Sequence, residues 1–189
     1  MDKQLPIKER LIIAGIGEIK NNGVRDFSLR RVAEDCGVSC AAPYKHFKNK
    51  DDFILAIYKY INDMWFAVQL EIINQYPDDI RMQLIEISIA YVRFLVLNPN
   101  FYSLIMLNED NMCDELKLCK ARLSDKSREI INQYCINVNM SHKNKVQKTF
   151  VVRSLIYGAA LMYNSGEMVY SEKSLNMVRE TIIREFDIN

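Results

Sequence analysis

Apolar residues recur along nearly the whole chain at intervals of three and four, the spacing of helix faces, and no convincing β-hairpin signal breaks the pattern. Residues 6–22 put Leu11, Gly15, Ile16 and Ile19 on one side, which predicts a first helix. Residues 29–36 repeat the pattern with Leu29, Val32, Ala33 and Cys36, and a second short helix is expected to run from Ser39 to near Phe47. A long amphipathic helix should follow over 50–73, capped by Asn49 and closed before Tyr76-Pro77. The next, over 79–97, stops at Asn98-Pro99, because the residue before a proline is pushed out of helical geometry. A short apolar helix is expected over 101–107 and a long polar one over 115–138, followed by a break at Met140-Ser141-His142. Residues 143–169 and a segment capped by Ser171 and running to about Phe186 complete the set. The expected class is all-α.

The segment 28–50 is the most specific. Ser28 is an N-cap type, Gly37 supplies a left-handed stop at no steric cost, and Val38 is an apolar plug for the angle between two helices. Ser39 is expected to cap the second helix. Two short helices joined by a glycine-containing turn are the pattern of a DNA-binding helix-turn-helix, whose first helix crosses the backbone and positions the second for base edges. The expected organisation is an N-terminal three-helix helix-turn-helix domain over residues 1–52 and a larger helical effector-binding and dimerisation domain over 53–189.

The wording GVSCAAPYKHFKNKDDFILAI resembles the recognition helix and linker of TetR-type transcriptional regulators, which often read G-V-S-x-x-x-x-Y-x-H-F-x-x-K-x-x-L. Gly37, Val38, Ser39, Tyr44, His46, Phe47 and Lys50 match, with Phe53 or Ile54 near the usual apolar position. Upstream, Leu11, Ala14, Ile16 and Ile19 followed by Asn22-Gly23 resemble the family's first helix and its stop. Ala41-Ala42-Pro43-Tyr44 and Asn98-Pro99-Asn100-Phe101-Tyr102 further resemble a subgroup whose C-terminal domain is called WHG, although Tyr157-Gly158 stands where that subgroup has His-Gly. The resemblance implies base-edge contacts from Cys40, Ala41 and Ala42, and phosphate contacts from Tyr44, His46 and Lys50. It also implies a homodimer on a double-stranded operator, acting as a repressor that a small-molecule effector releases.

The residues add chemistry of their own. Helix N-termini present unpaired N–H groups to phosphate, so Ser28 and Ser39 are candidate backbone contacts as well as caps. Cys40, Ala41 and Ala42 admit close approach but supply no bidentate hydrogen bond, so direct readout falls more to Lys45, to Arg30 or Arg31, and to DNA shape. Pro43 cannot donate to Ser39 and disfavours helical geometry at Ala42, which predicts a loosened first turn. Tyr44 either meets phosphate or packs in the core, and Phe47 belongs to the core.

Charge changes the picture modestly. The net charge of the 189-residue chain is +1, yet residues 1–50 hold ten Lys or Arg against six Asp or Glu, and the remainder fifteen against eighteen. Positive charge therefore gathers where the helix-turn-helix lies, or else this is ordinary surface scatter. Five cysteines at irregular spacing do not form a disulfide framework, and Cys36, Cys40 and His46 lack a fourth ligand for zinc, so no metal or cofactor is expected. Cys40 beside a helix N-terminus is a candidate redox-sensitive thiol. No catalytic motif appears, and the acid pairs Asp51-Asp52, Asp78-Asp79 and Glu109-Asp110 sit at expected helix starts, so no enzyme is expected. Met1-Asp2-Lys3-Gln4 leads directly into an amphipathic helix, and the most apolar window, 84–97, contains Glu86 and Arg93 and is too short for a bilayer. A cytoplasmic location without membrane contact is expected.

In the larger domain, Ser154, Gly158 and Ala159-Ala160 form a small-residue strip flanked by Leu155, Leu161 and Met162. With Val178 and Ile182 of the last helix, it is the candidate dimer interface, as a four-helix bundle with its symmetry mate, or else it packs within the chain. Trp65, Phe94, Phe101, Met106, Tyr134, Tyr157 and Tyr163 are candidate lining for an apolar effector pocket, or else ordinary core. Two further readings fit the residues: a regulator that senses cysteine oxidation or a protein partner, and a helical protein-interaction module.

Overall fold

In the computed structural model, which describes residues 5–106 and 113–187, regular structure among the described residues is entirely helical. The expected end of the short apolar helix at Leu107 and the acid pair Glu109-Asp110 fall outside them. The chain forms two compact units, Met1–Met64 with Asn100–Leu123, and Trp65–Pro99 with Ser124–Asn189. Among the described residues no helix is long and apolar enough to cross a membrane.

The first unit opens with α1 (Ile7–Asn22), which buries Leu11, Ile12, Ile16 and Ile19 and ends at Gly23, whose φ of 75° suits glycine alone. The short α2 (Leu29–Asp35) starts at Ser28, whose hydroxyl accepts the Arg31 N–H at 3.4 Å. Its end is a Schellman closure: Val38 N–H donates to the Ala33 carbonyl and Gly37 N–H to that of Glu34, both at 3.0 Å, with Gly37 at φ 67°. The long α3 (Lys50–Gln75) begins with a reciprocal cap. Asn49 Oδ1 accepts the Asp52 N–H at 2.9 Å, and the Asp52 carboxylate accepts the Lys48 N–H at 2.8 Å. As far as Met64 this helix belongs to the first unit, where Phe53, Ile54, Ile57, Tyr58 and Ile61 are buried. The unit is completed by α5 (Pro99–Ile105) from Asn100 onward and by α6 (Asp114–Ala121). Tyr58 donates its hydroxyl to the Leu104 carbonyl at 3.0 Å, and Asn62 Nδ2 donates to the Cys119 carbonyl at 2.9 Å.

The second unit is built on α4 (Ile80–Leu97), which starts at an Asp79 cap and packs against α7 (Asp125–Asn137), α8 (His142–Ser165) and α9 (Glu172–Asp187). Ile85, Ile89, Val92 and Leu95 of α4, Ile156 and Ala160 of α8, and Leu175, Val178 and Ile182 of α9 are all buried. Arg179 clamps Glu86 through two nitrogens, and Arg93 NH2 reaches Glu172 at 2.9 Å, so α4 and α9 run antiparallel.

Three expectations are corrected. The polar segment 115–138 is not one helix: a 3₁₀ turn, Arg122–Ser124, separates α6 from α7. The ladder restarts at Ser124-Asp125, residue types that favour helix starts. The helix expected to reach 169 stops at Ser165, because Gly166 adopts a left-handed φ of 78°. The second helix of the helix-turn-helix is not an α-helix at all, as described next.

Candidate nucleic-acid interface

Between α2 and α3 the chain makes a turn at Cys40-Ala41 and one 3₁₀ turn, Pro43–Lys45. Pro43 explains the departure from the expected helix over 39–47. Its nitrogen has no hydrogen to give the Ser39 carbonyl, and that carbonyl is taken one residue earlier, by Ala42 N–H at 2.9 Å. Lys45 N–H then bonds Ala42 at 3.2 Å, and His46 and Phe47 N–H both bond the Pro43 carbonyl at 3.0 Å. The 3₁₀ turn follows Ala42 and has no side-chain cap, so Ser39 does not serve as the expected N-cap.

The short element is held from inside. Pro43 and Phe47 are buried, and Phe47 meets Phe53 edge-on with centroids 4.4 Å apart while Phe53 meets Phe27 at 5.3 Å. Lys8 Nζ stands 5.8 Å from the Phe47 ring centre. Outside, Ser39, Cys40, Ala41, Tyr44, Lys45 and His46 are all exposed, with Ala42 half-buried. Tyr44, 61% exposed, does not pack in the core. Lys50 is half-buried, its Nζ donating to the Arg25 carbonyl at 2.8 Å and lying 6.0 Å from the Phe27 ring centre. Cys40 lies in a turn, where no α-helix begins to act on its thiol.

The two arginines of α2 differ. Arg30 makes an exposed pair with Glu34 four residues on, at 2.9 Å, and this hydrogen bond holds its guanidinium above its ordinary pKa. Arg31 instead reaches back to α1, its Nε donating to Glu18 at 2.6 Å. The buried Cys36 thiol is pushed up by desolvation, and Arg10 NH2 donates to the Cys36 carbonyl at 2.8 Å, satisfying the end of α2. Among the described residues no group of three His, Cys, Asp or Glu side chains is placed to hold a metal.

The other candidates divide. Trp65, Phe94 and Tyr157 join one aromatic cluster of the second unit through a residue the sequence reading missed, Tyr91. Trp65 lies 4.7 Å from Tyr91 and 5.3 Å from Phe94, and Tyr91 lies 6.2 Å from Tyr157. Desolvation, then the neighbouring Tyr157, pushes the Tyr91 phenol far above its ordinary value of 10.0. The signal for Tyr91 was present, three residues before Phe94 on one helix face. Tyr134 packs on Phe186 at 5.4 Å and Tyr163 on Tyr170 at 5.3 Å, whereas Phe101 and the exposed Met106 belong to the first unit.

Of the candidate dimer residues, Ser154 and Leu161 are exposed, and Gly158 and Met162 are half-buried. Val178 and Ile182 are corrected: at 3% and 0% exposure they form the chain's own core and present no outer face. The sequence reading overlooked Phe150, 70% exposed on α8 four residues before Ser154, and Met177, exposed on α9.

A short element that projects polar and cationic side chains behind a capped positioning helix has the arrangement of a DNA-binding helix-turn-helix. Residues 11–57 match the bacterial regulatory proteins of the tetR family. Solved structures agree over nearly the full length. A TetR family transcription regulator from Marinobacter aquaeolei VT8 is 16% identical, with 94% of each chain covered and a TM-score of 0.77. A TetR transcriptional regulator from Legionella pneumophila is 17% identical, covering 97% of this chain and 98% of that one at 0.74. The transcriptional regulator FadR from Bacillus subtilis, in complex with stearoyl-CoA, is 15% identical, covering 92% and 96% at 0.69. Residues 11–57 thus match the tetR family of bacterial regulatory proteins, and the chain as a whole shares the fold of TetR family regulators.

Proposed function

We propose that the chain binds an operator as a homodimer in the cytoplasm and represses from it until a small molecule occupies the helical domain beyond residue 52. The observation that carries the reading is the exposure of Tyr44, Lys45 and His46 on an element anchored by buried Pro43 and Phe47. Those side chains, with Lys50, Arg30, the Ser39 hydroxyl and the Ser28 end of α2, contact phosphate, while Cys40, Ala41 and Ala42 approach base edges. None of the last three offers a bidentate bond, so shape and deformability of the duplex carry much of the preference.

Dimerisation uses the outer side of α8 and α9. Phe150, Ser154, Gly158 and Leu161 follow one another at helical spacing, and Met177 adds an apolar side chain from α9. Paired with its mate, this face makes a four-helix bundle and sets two reading elements roughly 34–36 Å apart, one turn of the duplex. The fold of a neighbour that holds stearoyl-CoA supports effector control. An effector releases DNA by binding the DNA-incompetent state more tightly, with a coupling of about 1–3 kcal/mol. Helix α3 contributes Lys50–Met64 to one unit and Trp65–Gln75 to the other, and its shift is the proposed carrier of that coupling.

The test is selection of bound sequences from random duplex DNA, with Tyr44→Ala and Lys50→Ala alongside. An enriched palindrome that both variants weaken is the expected result. No enrichment by the wild type, and affinity indifferent to salt, would leave a protein-interaction module as the better reading.

A further inference from the structure

Glu18 is the one fully buried acidic residue among the described residues, 5% exposed on α1 of the same unit that carries the reading element. A carboxylate so placed must be paired, since an isolated buried charge is costly. Its oxygens accept Arg31 Nε at 2.6 Å, Arg31 NH2 at 2.5 Å and Asn22 Nδ2 at 2.8 Å. Arg31 also donates to the Asp26 carbonyl. One acid therefore ties the entry to α2 back to α1: it holds the first-turn guanidinium directly, and through it the Asp26 carbonyl.

This separates two adjacent cations that the sequence leaves equivalent. Arg30 pairs with Glu34 where the side chains are 77% and 54% exposed, a pair that salt and phosphate displace readily. Arg31 pairs with a buried partner that has nowhere else to turn. We infer that Glu18 is a positioning residue of the DNA interface, which locks Arg31 into a neutral pair holding the entry of α2, so that Arg30 and not Arg31 neutralises phosphate. The inference rests on the DNA-binding reading above.

The salt dependence of binding to a mixed-sequence DNA duplex tests it, with the full chain at mildly alkaline pH. The slope of log K against log salt counts neutralised phosphates, about 0.9 for each on B-DNA. Glu18→Gln keeps the shape and an acceptor oxygen but unmasks Arg31, so the slope should steepen by about 0.9 per bound subunit. Arg31→Gln leaves the carboxylate uncompensated and should make the slope shallower. The double variant Glu18→Gln/Arg31→Gln restores neutrality and should return to the wild-type slope. Should Glu18→Gln not fold, Arg31→Gln and the double variant still read the pair. A purely structural role predicts lowered melting temperatures with one common slope, and that result overturns the proposal while leaving DNA binding intact. A wild type without salt-dependent affinity would instead overturn the DNA-binding reading, and this proposal with it.

Discussion

Gly15 and Phe53 touch so closely that a Cβ built on Gly15 would stand 2.3 Å from Phe53 Cε1 and 2.8 Å from Cζ. The ring has no freedom to retreat, being fully buried between Phe27 and Phe47. Gly15→Ala therefore overpacks the DNA-binding unit. A loss of about 1–3 kcal/mol is expected from overpacking, despite the gain in helix propensity that alanine brings. Chemical denaturation reads it, and an unchanged or raised midpoint would show that α1 and α3 separate easily.

Lys45 is exposed on the 3₁₀ turn, and against the direct readout that the sequence suggested for it, the proposed function gives it a phosphate. Lys45→Ala should weaken binding to all duplexes about equally and flatten the salt slope by about 0.9 per subunit, with the melting temperature unchanged. A loss confined to one sequence would make Lys45 a base reader.

Phe150→Asp places a charge in the middle of the proposed dimer face without disturbing the monomer's core, since the side chain is 70% exposed. Sedimentation should show a monomer of intact helical content, and operator affinity should fall because two half-sites are no longer joined. A dimer that persists would move the interface elsewhere.

Glu18 titrates below its ordinary value of 4.5. Burial opposes ionisation, and the Arg31 hydrogen bond and charge, with Asn22 and the Ser28 N–H, more than offset it. A lowered folded-state pKa contributes stability that is present above the unfolded value and lost as pH falls through the folded one. Acid unfolding of the wild type should therefore steepen below about pH 4.5, a limb that Glu18→Gln should flatten.

Tyr91 titrates above its ordinary value, and the sign reverses. The neutral phenol is favoured by burial, so its contribution is fully present below the unfolded value and disappears as pH rises through the folded one. In an alkaline titration followed by tyrosinate absorbance, Tyr91→Phe should remove only the last-ionising step. A change in the first step instead would mean that Tyr91 meets solvent.

The helices were legible because their faces repeat and their ends carry Ser28, Asn49, Asp79, Ser141 and Ser171, side chains whose bonding is local, and Gly37, whose backbone turns left-handed. Pro43 announced trouble in the expected recognition helix, but proline's effect depends on whether the Ser39 carbonyl finds another donor, and only the folded turn shows Ala42 in that role. Glu18 was invisible for a related reason. An acid between Gly17 and Ile19 looks like a surface residue until Arg31, thirteen positions later, folds over it. Val178 and Ile182 had the right pattern for either an inner or an outer face, and which one depends on where α4 lies.

The anchoring of the 3₁₀ turn bears on how such a protein changes its target over generations. Pro43 and Phe47 carry the stability of the reading element, whereas Cys40 and Ala41 are exposed and contribute almost nothing to the core. Substitutions at those outer positions leave the fold where it was, since surface changes generally stay within about 0.5 kcal/mol. Operator preference can then drift one side chain at a time, and a duplicated copy can acquire a new operator without first acquiring a stabilising mutation elsewhere.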